Sequence, residues 1–182
     1  MGVVNVLLTY ADYALLPDDG KRYELHDGVL SVTPAPGTRH QRVLFRLAMA
    51  LHAHVTAHAL GEVDIAPFDV ILSDVSVVQP DILFAANERC AVFSERGFEG
   101  APTLAVEVIS PSTPRIDRRT KLSLYARHAV PYYWIVDPEA RTIDVHRLTG
   151  HGYEEPERFS GETLEDLPPF PGLRLDPAAI WA

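Results

Sequence analysis

Apolar residues recur at helical spacing in two parts of the chain. Over residues 38–60 they lie three or four positions apart, at Leu44, Leu47, Ala48, Leu51 and Val55. This spacing predicts a long amphipathic helix with one buried stripe. A second helix is predicted over residues 115–128, with Leu122, Tyr125 and Ala129 facing inward. A short helix over residues 10–16 would begin after Thr9, a residue type favoured as an N-cap.

Short runs of β-branched and aromatic residues between turn residues predict strands. Two of these runs, at 22–25 and 29–33, flank Asp27-Gly28, a dipeptide typical of hairpin turns. Further strands are predicted at residues 63–65, 68–72, 77–84, 103–109, 131–136 and 142–148. The run at 77–84 is interrupted by Gln79-Pro80-Asp81. Together these elements predict an α/β or α+β fold, with a central mixed sheet flanked by helices.

Composition and length predict one globular domain over residues 1–182. Hydrophobic residues make up 47% of the chain and charged residues 23%. Residues 137–182 carry 10 acidic and 4 basic side chains. Within this acidic region, we expect the extension that begins at about residue 150 to pack on the core. The single cysteine, Cys90, excludes an intrachain disulfide and a multi-cysteine zinc site.

Two features of the sequence bear on where the protein acts. No run of 18 apolar residues is present, and no basic segment precedes the apolar residues at the N-terminus. We therefore expect no membrane segment and a cytoplasmic location. The formal net charge of −9 argues against non-specific coating of nucleic acid, which needs a broad basic surface. A local nucleic-acid site remains compatible with this charge.

Acidic residues in or beside apolar strands are the main chemical signal. Asp81 and Glu107 interrupt apolar runs, and Glu24 lies in the first predicted strand. Burying a charge is costly unless the charge is paired or coordinated, and converging carboxylates need a cation between them. Carboxylate oxygens suit Mg²⁺ or Mn²⁺. Residues 115–121 add four basic groups, among them Lys121, and one acid. Metal ligands beside basic groups suit a phosphodiester substrate, with the metal polarising the phosphate and the lysine stabilising charge.

Six segments, in order along the chain, carry a family resemblance. They are residues 23–28, 40–43, 79–82, 101–112, 117–125 and 133–138. As an ordered set they resemble the PD-(D/E)XK restriction-endonuclease-like superfamily, and within it the Uma-two type of restriction endonucleases. The resemblance implies a central mixed sheet flanked by helices, cleavage of DNA with Mg²⁺ or alternatively Mn²⁺ as cofactor, and a homodimer.

The resemblance also assigns roles to individual residues. Asp81 and Glu107 match the metal ligands, and Glu24 matches an N-terminal acid that completes the catalytic site. The superfamily lysine usually lies two residues after the second acid, where this chain has Ile109. Lys121, fourteen residues after Glu107, would serve instead, as in the Uma-two type. Phosphate contacts are predicted for Arg115, Arg118 and Arg119.

Each acidic residue also has a purely structural interpretation. Asp81 could bind backbone amides in a turn after proline. Glu107 could face solvent at the end of its strand. Glu24 could pair with one of its basic neighbours, Lys21 or Arg22.

Alternatives also stay open for residues outside the acidic set. Asp117 and Lys121 have the spacing of a surface ion pair on a helix. His40 could contact either the helix N-terminus or a phosphate. The aromatic run Tyr132-Tyr133-Trp134 is more typical of strand core or a dimer interface than of base stacking.

The leading interpretation is a Mg²⁺-dependent DNA endonuclease. A catalytically inactive, dimeric module of the same fold is the alternative, binding nucleic acid or assisting a mobile element. The acidic net charge and Ile109 favour that alternative. A glycosidase with paired carboxylates is a further possibility, and it predicts a sugar-sized cleft without clustered basic residues.

Overall fold

The structure is a computed structural model, which describes residues 6–110, 115–162 and 164–182. The helices are α1 (Tyr10–Tyr13), α2 (Thr38–Ala57), α3 (Leu122–Arg127) and α4 (Pro177–Trp181). A 3₁₀ turn spans Asn87–Val92, and a π-helical turn spans Ile116–Lys121. The strands are β1 (Arg22–His26), β2 (Val29–Thr33), β3 (Gly61–Ile65), β4 (Val70–Ser73), β5 (Ser76–Val78), β6 (Ile82–Ala86), β7 (Phe93–Ser94), β8 (Gly97–Glu99), β9 (Leu104–Val108), β10 (Tyr132–Asp137), β11 (Thr142–Thr149), β12 (Gly152–Tyr153), β13 (Glu157–Phe159), β14 (Leu164–Glu165) and β15 (Arg174–Leu175).

A mixed sheet lies at the centre, as the sequence predicts. Its strand order is β12-β11-β10-β9-β6-β3, with β13 paired to β11. Strands β9 and β10 are parallel, and their other neighbours are antiparallel. The residues of β9 are buried throughout, as expected for a strand that is covered on both faces. None of the helices in the described ranges is long and apolar enough to cross a membrane.

Alternating side chains of the central strands form two apolar clusters, one on each face of the sheet. On one face, Val106 and Trp134 pack against the buried stripe of α2 and against the C-terminal segment. On the other face, Ala105 and Tyr133 pack with α3 and with the smaller sheet. The predicted stripe of α2 is confirmed, because its five apolar residues are all buried. The extension contributes Leu164, Leu167, Phe170, Leu173, Leu175, Ile180 and Trp181 to the first cluster.

The smaller sheet begins with the predicted hairpin. Its strand order is β2-β1-β5-β4-β8-β7. Asp27 and Gly28 have φ values of 52° and 77°, so both turn residues adopt the left-handed conformation. A Cβ at Gly28 would lie 2.7 Å from the Cβ of Leu7, so only glycine fits there. The pairing of β1 with β5 brings Glu24 beside the segment that leads to Asp81, and the Gln79 backbone N–H donates to Glu24 Oε1 at 2.8 Å.

The second predicted helix is wrong in part. The chain forms the π-helical turn before α3, and α3 ends at Arg127. Ala129 lies beyond the helix, exposed and with a φ of 57°, whereas Leu124 occupies the buried position beside Tyr125. A π-helical turn rotates the residues that follow it relative to α-helical spacing, so a 3.6-residue period assigns the inner face incorrectly. The short first helix is also shorter than predicted and ends at Tyr13.

Asp144 on β11 is a buried carboxylate that the sequence analysis did not single out beside Glu24, Asp81 and Glu107. It accepts hydrogen bonds from Arg158 at 2.6 and 2.8 Å and from Arg118 at 3.4 Å. Burial acts to raise the pKa of Asp144, but Arg158 and Arg118 outweigh it and hold this pKa below its usual range. The stabilisation is therefore complete above the unfolded pKa of about 3.9 and is lost as the pH falls through the lower, folded pKa.

Asp144→Asn should therefore destabilise the fold in a pH-dependent way. At pH 7 we expect a loss of about 1–2 kcal/mol in the free energy of unfolding, a modest value because Arg158 is exposed. The difference from wild type should shrink as the pH falls below about 4. Urea unfolding of both proteins at pH 7 and at a pH below about 4 measures this difference in the free energy of unfolding. A difference that stays constant with pH would contradict the stabilising role of the ionised Asp144.

Candidate active site

The pairing of β6 with β9 brings the two acids of the apolar strands together. Ile82 lies opposite Val106 in this antiparallel pair, so continuation of the register places Asp81 opposite Glu107. Both carboxylates are buried, with 2% of each residue exposed. The Val108 backbone N–H donates to Asp81 Oδ2 at 2.8 Å, which ties Asp81 to the strand that carries Glu107. Asp81 thus binds an amide of another strand rather than of its own turn, and Glu107 does not face solvent.

Lys121 lies at the end of the π-helical turn, and its ammonium group lies between two carboxylates. Nζ donates to Glu107 Oε1 at 2.7 Å and to Glu24 Oε1 at 2.9 Å. Tyr125, one turn later, donates its hydroxyl to the same Glu107 oxygen at 3.0 Å. The interpretation of Asp117 and Lys121 as a surface ion pair is wrong, because both side chains are buried.

Glu24 reaches this cluster from β1. The residue is 1% exposed, and its Oε2 lies 3.3 Å from His26 Nε2. Lys21 does not pair with it, because Lys21 binds Asp19 at the surface. The shortest cationic contact of Glu24 is with Lys121, on a helix far away in sequence.

Two side chains that the sequence analysis did not place in the site complete the cluster. Arg22 Nη1 donates to Asp81 Oδ1 at 2.9 Å, and its Nη2 lies 3.7 Å from Glu24 Oε1 and 3.8 Å from Glu107 Oε2. His40 Nε2 lies 3.0 Å from Asp81 Oδ2, so the histidine contacts an acid rather than the end of α2. Arg22 and Glu24 lie two apart on β1 and face the same side, so the predicted alternative of an Arg22–Glu24 pair is confirmed, whereas the contact of Arg22 with Asp81 depends on tertiary packing.

The pKa values of the clustered carboxyl groups are driven apart. Burial, with a further contribution from Asp81, raises the pKa of Glu107 to about 8, although Lys121 opposes the change. Burial acts in the same direction on Glu24, but Lys121 and neighbouring groups outweigh it and hold the pKa of Glu24 below its usual range. His40 and other partners likewise outweigh burial and lower the pKa of Asp81. Neighbouring carboxyl groups whose pKa values differ in this way are typical of functional sites.

Comparison with known proteins agrees with this geometry. The model of the Uma2 family, described as "Putative restriction endonuclease", matches residues 10–178. The chain belongs to the Uma2 family. The matched range includes every clustered side chain described above. No significant match was found among curated proteins.

A solved structure shows the same fold as this Uma2-family chain. It is described as a "putative nuclease belonging to DUF820" from Anabaena variabilis ATCC 29413. The two superimpose with a TM-score of 0.79 at 20% sequence identity, over 96% of this chain and 97% of the other. The likeness confirms the predicted fold class, a restriction-endonuclease-like mixed sheet flanked by helices.

A small cavity lies among the clustered side chains of this Uma2-family site. Its volume of about 20 Å³ leaves room for about one water molecule or small ion. Asp81 and Glu107 border it with oxygen atoms, the donor type that Mg²⁺ and Mn²⁺ prefer. Within the described ranges, no group of three or more His, Cys, Asp or Glu side chains is arranged to bind a metal. Mg²⁺ commonly uses one or two protein carboxylates and completes its shell with water and substrate, so two carboxylates fit such a site.

The basic residues of segment 115–121 differ in their surroundings. Lys121 is buried in the cluster, whereas Arg115 and Arg119 are exposed. Arg118 is exposed as well, but its guanidinium binds Asp137 at 3.1 Å and Asp144 at 3.4 Å. Because two acids hold Arg118, Arg115 and Arg119 have the better access to a ligand, and the roles of all three arginines stay predictions.

The aromatic run belongs to the core of the Uma2-family fold, as expected. Tyr133 and Trp134 are fully buried, and Tyr132 is partly buried. The Trp134 indole N–H donates to the Pro168 carbonyl at 2.7 Å, and the Tyr133 hydroxyl donates to the Asp117 carbonyl at 3.0 Å. Side chains held in this way are not available for base stacking.

Proposed function

We propose that this chain is a divalent-metal-dependent DNA endonuclease that hydrolyses phosphodiester bonds. The observation that carries the proposal is the convergence of Asp81, Glu107 and Lys121 around one buried cavity. Membership of a family described as restriction endonucleases supports nuclease chemistry. The strongly basic surroundings of the carboxylates, with Lys121 and Arg22 within contact distance, distinguish the cluster from a glycosidase carboxylate pair.

Asp81 and Glu107 are the residues that we propose to hold Mg²⁺ or Mn²⁺. A cation held there would polarise a phosphate oxygen and favour deprotonation of water. Asp81 Oδ2 is already held by the Val108 N–H and by His40, so the carboxylate needs little reorganisation to serve as a ligand. Such preorganisation is what electrostatic catalysis requires.

Lys121 is proposed to stabilise negative charge rather than to act as a base. Burial acts to lower the pKa of Lys121, but Glu107 and Glu24 outweigh it and raise this pKa well above its usual range. An ammonium group that keeps its proton so firmly can donate hydrogen bonds to a phosphate oxygen or to an attacking water molecule. We propose that Glu24 holds Lys121 in this position, since its oxygen lies 2.9 Å from Nζ.

A cleft beside the cluster offers space for the substrate. Its volume is about 620 Å³, and His40 and Ser110 line both this cleft and the small cavity. The cleft is also lined by the first residues of α2, including Arg39, and by Arg118. We propose that DNA phosphates contact this side of the molecule and the exposed Arg115 and Arg119 nearby in sequence.

The homodimer rests on the family resemblance, and the cytoplasmic location rests on the sequence features described above. We propose a homodimer in the cytoplasm, as the sequence analysis expects. Light scattering coupled to size-exclusion chromatography measures the assembly, and a monomer at working concentrations would contradict that part of the proposal.

A catalytically inactive module of the same fold is the second candidate. Ile109 favours it, because this position carries no lysine. The hydrogen-bonded cluster of Glu24, Glu107 and Lys121 could then serve stability alone. This candidate predicts DNA binding without metal-dependent cleavage.

Nicking of supercoiled plasmid separates the two candidates. We expect wild-type protein to produce nicked plasmid with Mg²⁺ or Mn²⁺ and to lose this activity when EDTA removes the metal. Glu107→Gln, purified in the same way, should not nick, because its amide cannot ionise to serve as a carboxylate ligand at the cavity. Equal cleavage by both proteins would identify a contaminant and contradict the endonuclease proposal. DNA binding with no cleavage under any metal would favour the inactive module.

A further inference from the structure

Arg22 occupies an unusual position for an arginine near the start of a strand. Its guanidinium lies among three carboxylates, 2.9 Å from Asp81 Oδ1 and 3.7 and 3.8 Å from oxygens of Glu24 and Glu107. The side chain is 20% exposed. The guanidinium therefore supplies positive charge at the point where the three acids converge.

The guanidinium balances the charge of Asp81 and Glu24, whose pKa values are lowered, without forming a complete set of hydrogen bonds. Nε and Nη2 are buried and have no hydrogen-bond partner in the part of the chain that the structure describes. A buried donor without a partner is unfavourable, and a bidentate arginine–carboxylate pair would have avoided this cost. Electrostatic attraction to the acids accounts for the position of the guanidinium. Its two unpaired donors show that the hydrogen-bonding geometry at this position is poor.

Arg22 also lies between the small cavity of the site and a neighbouring cleft. It lines the cavity of about 20 Å³ and also an adjoining open cleft of about 380 Å³. The small cavity leaves no room for a hydrated cation beside the guanidinium. A divalent cation and a guanidinium that shared this cavity would also repel each other strongly. The cleft offers the side chain a place to which it can turn.

We infer that Arg22 takes the place of a divalent cation between Asp81 and Glu107 and turns into the adjoining cleft when that cation binds. The inference rests on the proposed function, because it assumes that the cavity binds a metal. In the cleft, the planar guanidinium would face incoming substrate, where its paired N–H groups match a phosphate. Arg22 is then a positioning residue that couples metal binding to phosphate recognition.

Binding of Mn²⁺ alone, measured by calorimetry on the full chain without DNA, tests the competition. Arg22→Gln should bind Mn²⁺ at least about tenfold more tightly than wild type, because a competing charge is gone. Arg22→Lys keeps the charge and should stay within about threefold of wild type. Lys21→Gln is the matched control, since it removes the neighbouring charge outside the cluster, and its affinity should equal that of wild type.

A second measurement uses the wild-type chain and so does not depend on a variant that folds. Phenylglyoxal modifies accessible guanidinium groups, and mass spectrometry locates the modified arginine. Mn²⁺ should increase the labelling of Arg22 severalfold, because the side chain leaves the buried cluster. Labelling of Arg96, which is exposed and paired with Glu99, should not change.

The outcomes separate this inference from the proposed function. If Mn²⁺ binds wild type and Arg22→Gln equally, or binds the variant more weakly, the inference is wrong while the metal site stands. Unchanged labelling of Arg22 in the presence of bound Mn²⁺ would also overturn it. If neither protein binds Mn²⁺, the metal site itself fails and the inference fails with it.

Discussion

Replacement of Asp81 by asparagine should reduce DNA cleavage at least about 1000-fold, which corresponds to roughly 4 kcal/mol of lost transition-state stabilisation. Asparagine has nearly the same size but no negative charge, so it is a poor ligand for Mg²⁺. Its amide group also introduces donors where the carboxylate accepts three hydrogen bonds, from Arg22, His40 and the Val108 N–H. The substitution therefore removes a proposed ligand and disturbs its neighbours.

The control for Asp81→Asn is Asp64→Asn, which removes a partly buried carboxylate from β3, the strand paired with β6. Its nicking rate should stay within about twofold of wild type, because a surface or rim substitution away from special features has a small effect. Initial rates of nicking with Mg²⁺ and Mn²⁺, together with circular dichroism spectra of both variants, provide the comparison. A folded Asp81→Asn protein that cleaves at the wild-type rate would remove Asp81 from the proposed mechanism.

The sequence predicts the acids of the site because it places them in apolar runs, where burial of a charge is energetically costly. Asp81 and Glu107 lie in runs that are otherwise apolar, and such runs become buried strands. A charge that must be buried needs partners, so the two acids were expected to converge even though 26 positions separate them along the chain. The central sheet, the hairpin at Asp27-Gly28 and the stripe of α2 follow from equally local signals.

The partners of these acids could not be assigned in the same way. Arg22 and His40 are typical of exposed positions, and only the packing of β1 and α2 against the central sheet brings them to Asp81. Lys121 had a satisfactory local partner at Asp117, and the π-helical turn that directs it inward leaves no mark on hydrophobic spacing. Sequence patterns report which side chains need burial, whereas tertiary packing decides which charges meet.

The contacts of Lys121 predict a large effect on folding. Lys121→Met should lower the free energy of unfolding by about 3–5 kcal/mol, since removal of one partner leaves buried charge uncompensated. For a chain of this size the melting temperature should fall by roughly 6–20 °C. The effect should come mainly from Glu24, because its pKa lies below the usual range and it keeps its charge, whereas burial favours protonation of Glu107.

Chemical denaturation monitored by tryptophan fluorescence tests this expectation, and a second substitution identifies the source. Lys121→Met combined with Glu24→Gln should recover about 1–3 kcal/mol relative to the sum of the single changes, as coupled neighbours do. Lys21→Met, the exposed control, should change stability by less than about 0.5 kcal/mol. If Lys121→Met unfolds like wild type, the ammonium group does not hold the carboxylates together. A double variant that shows simple additivity would instead place the cost on Glu107.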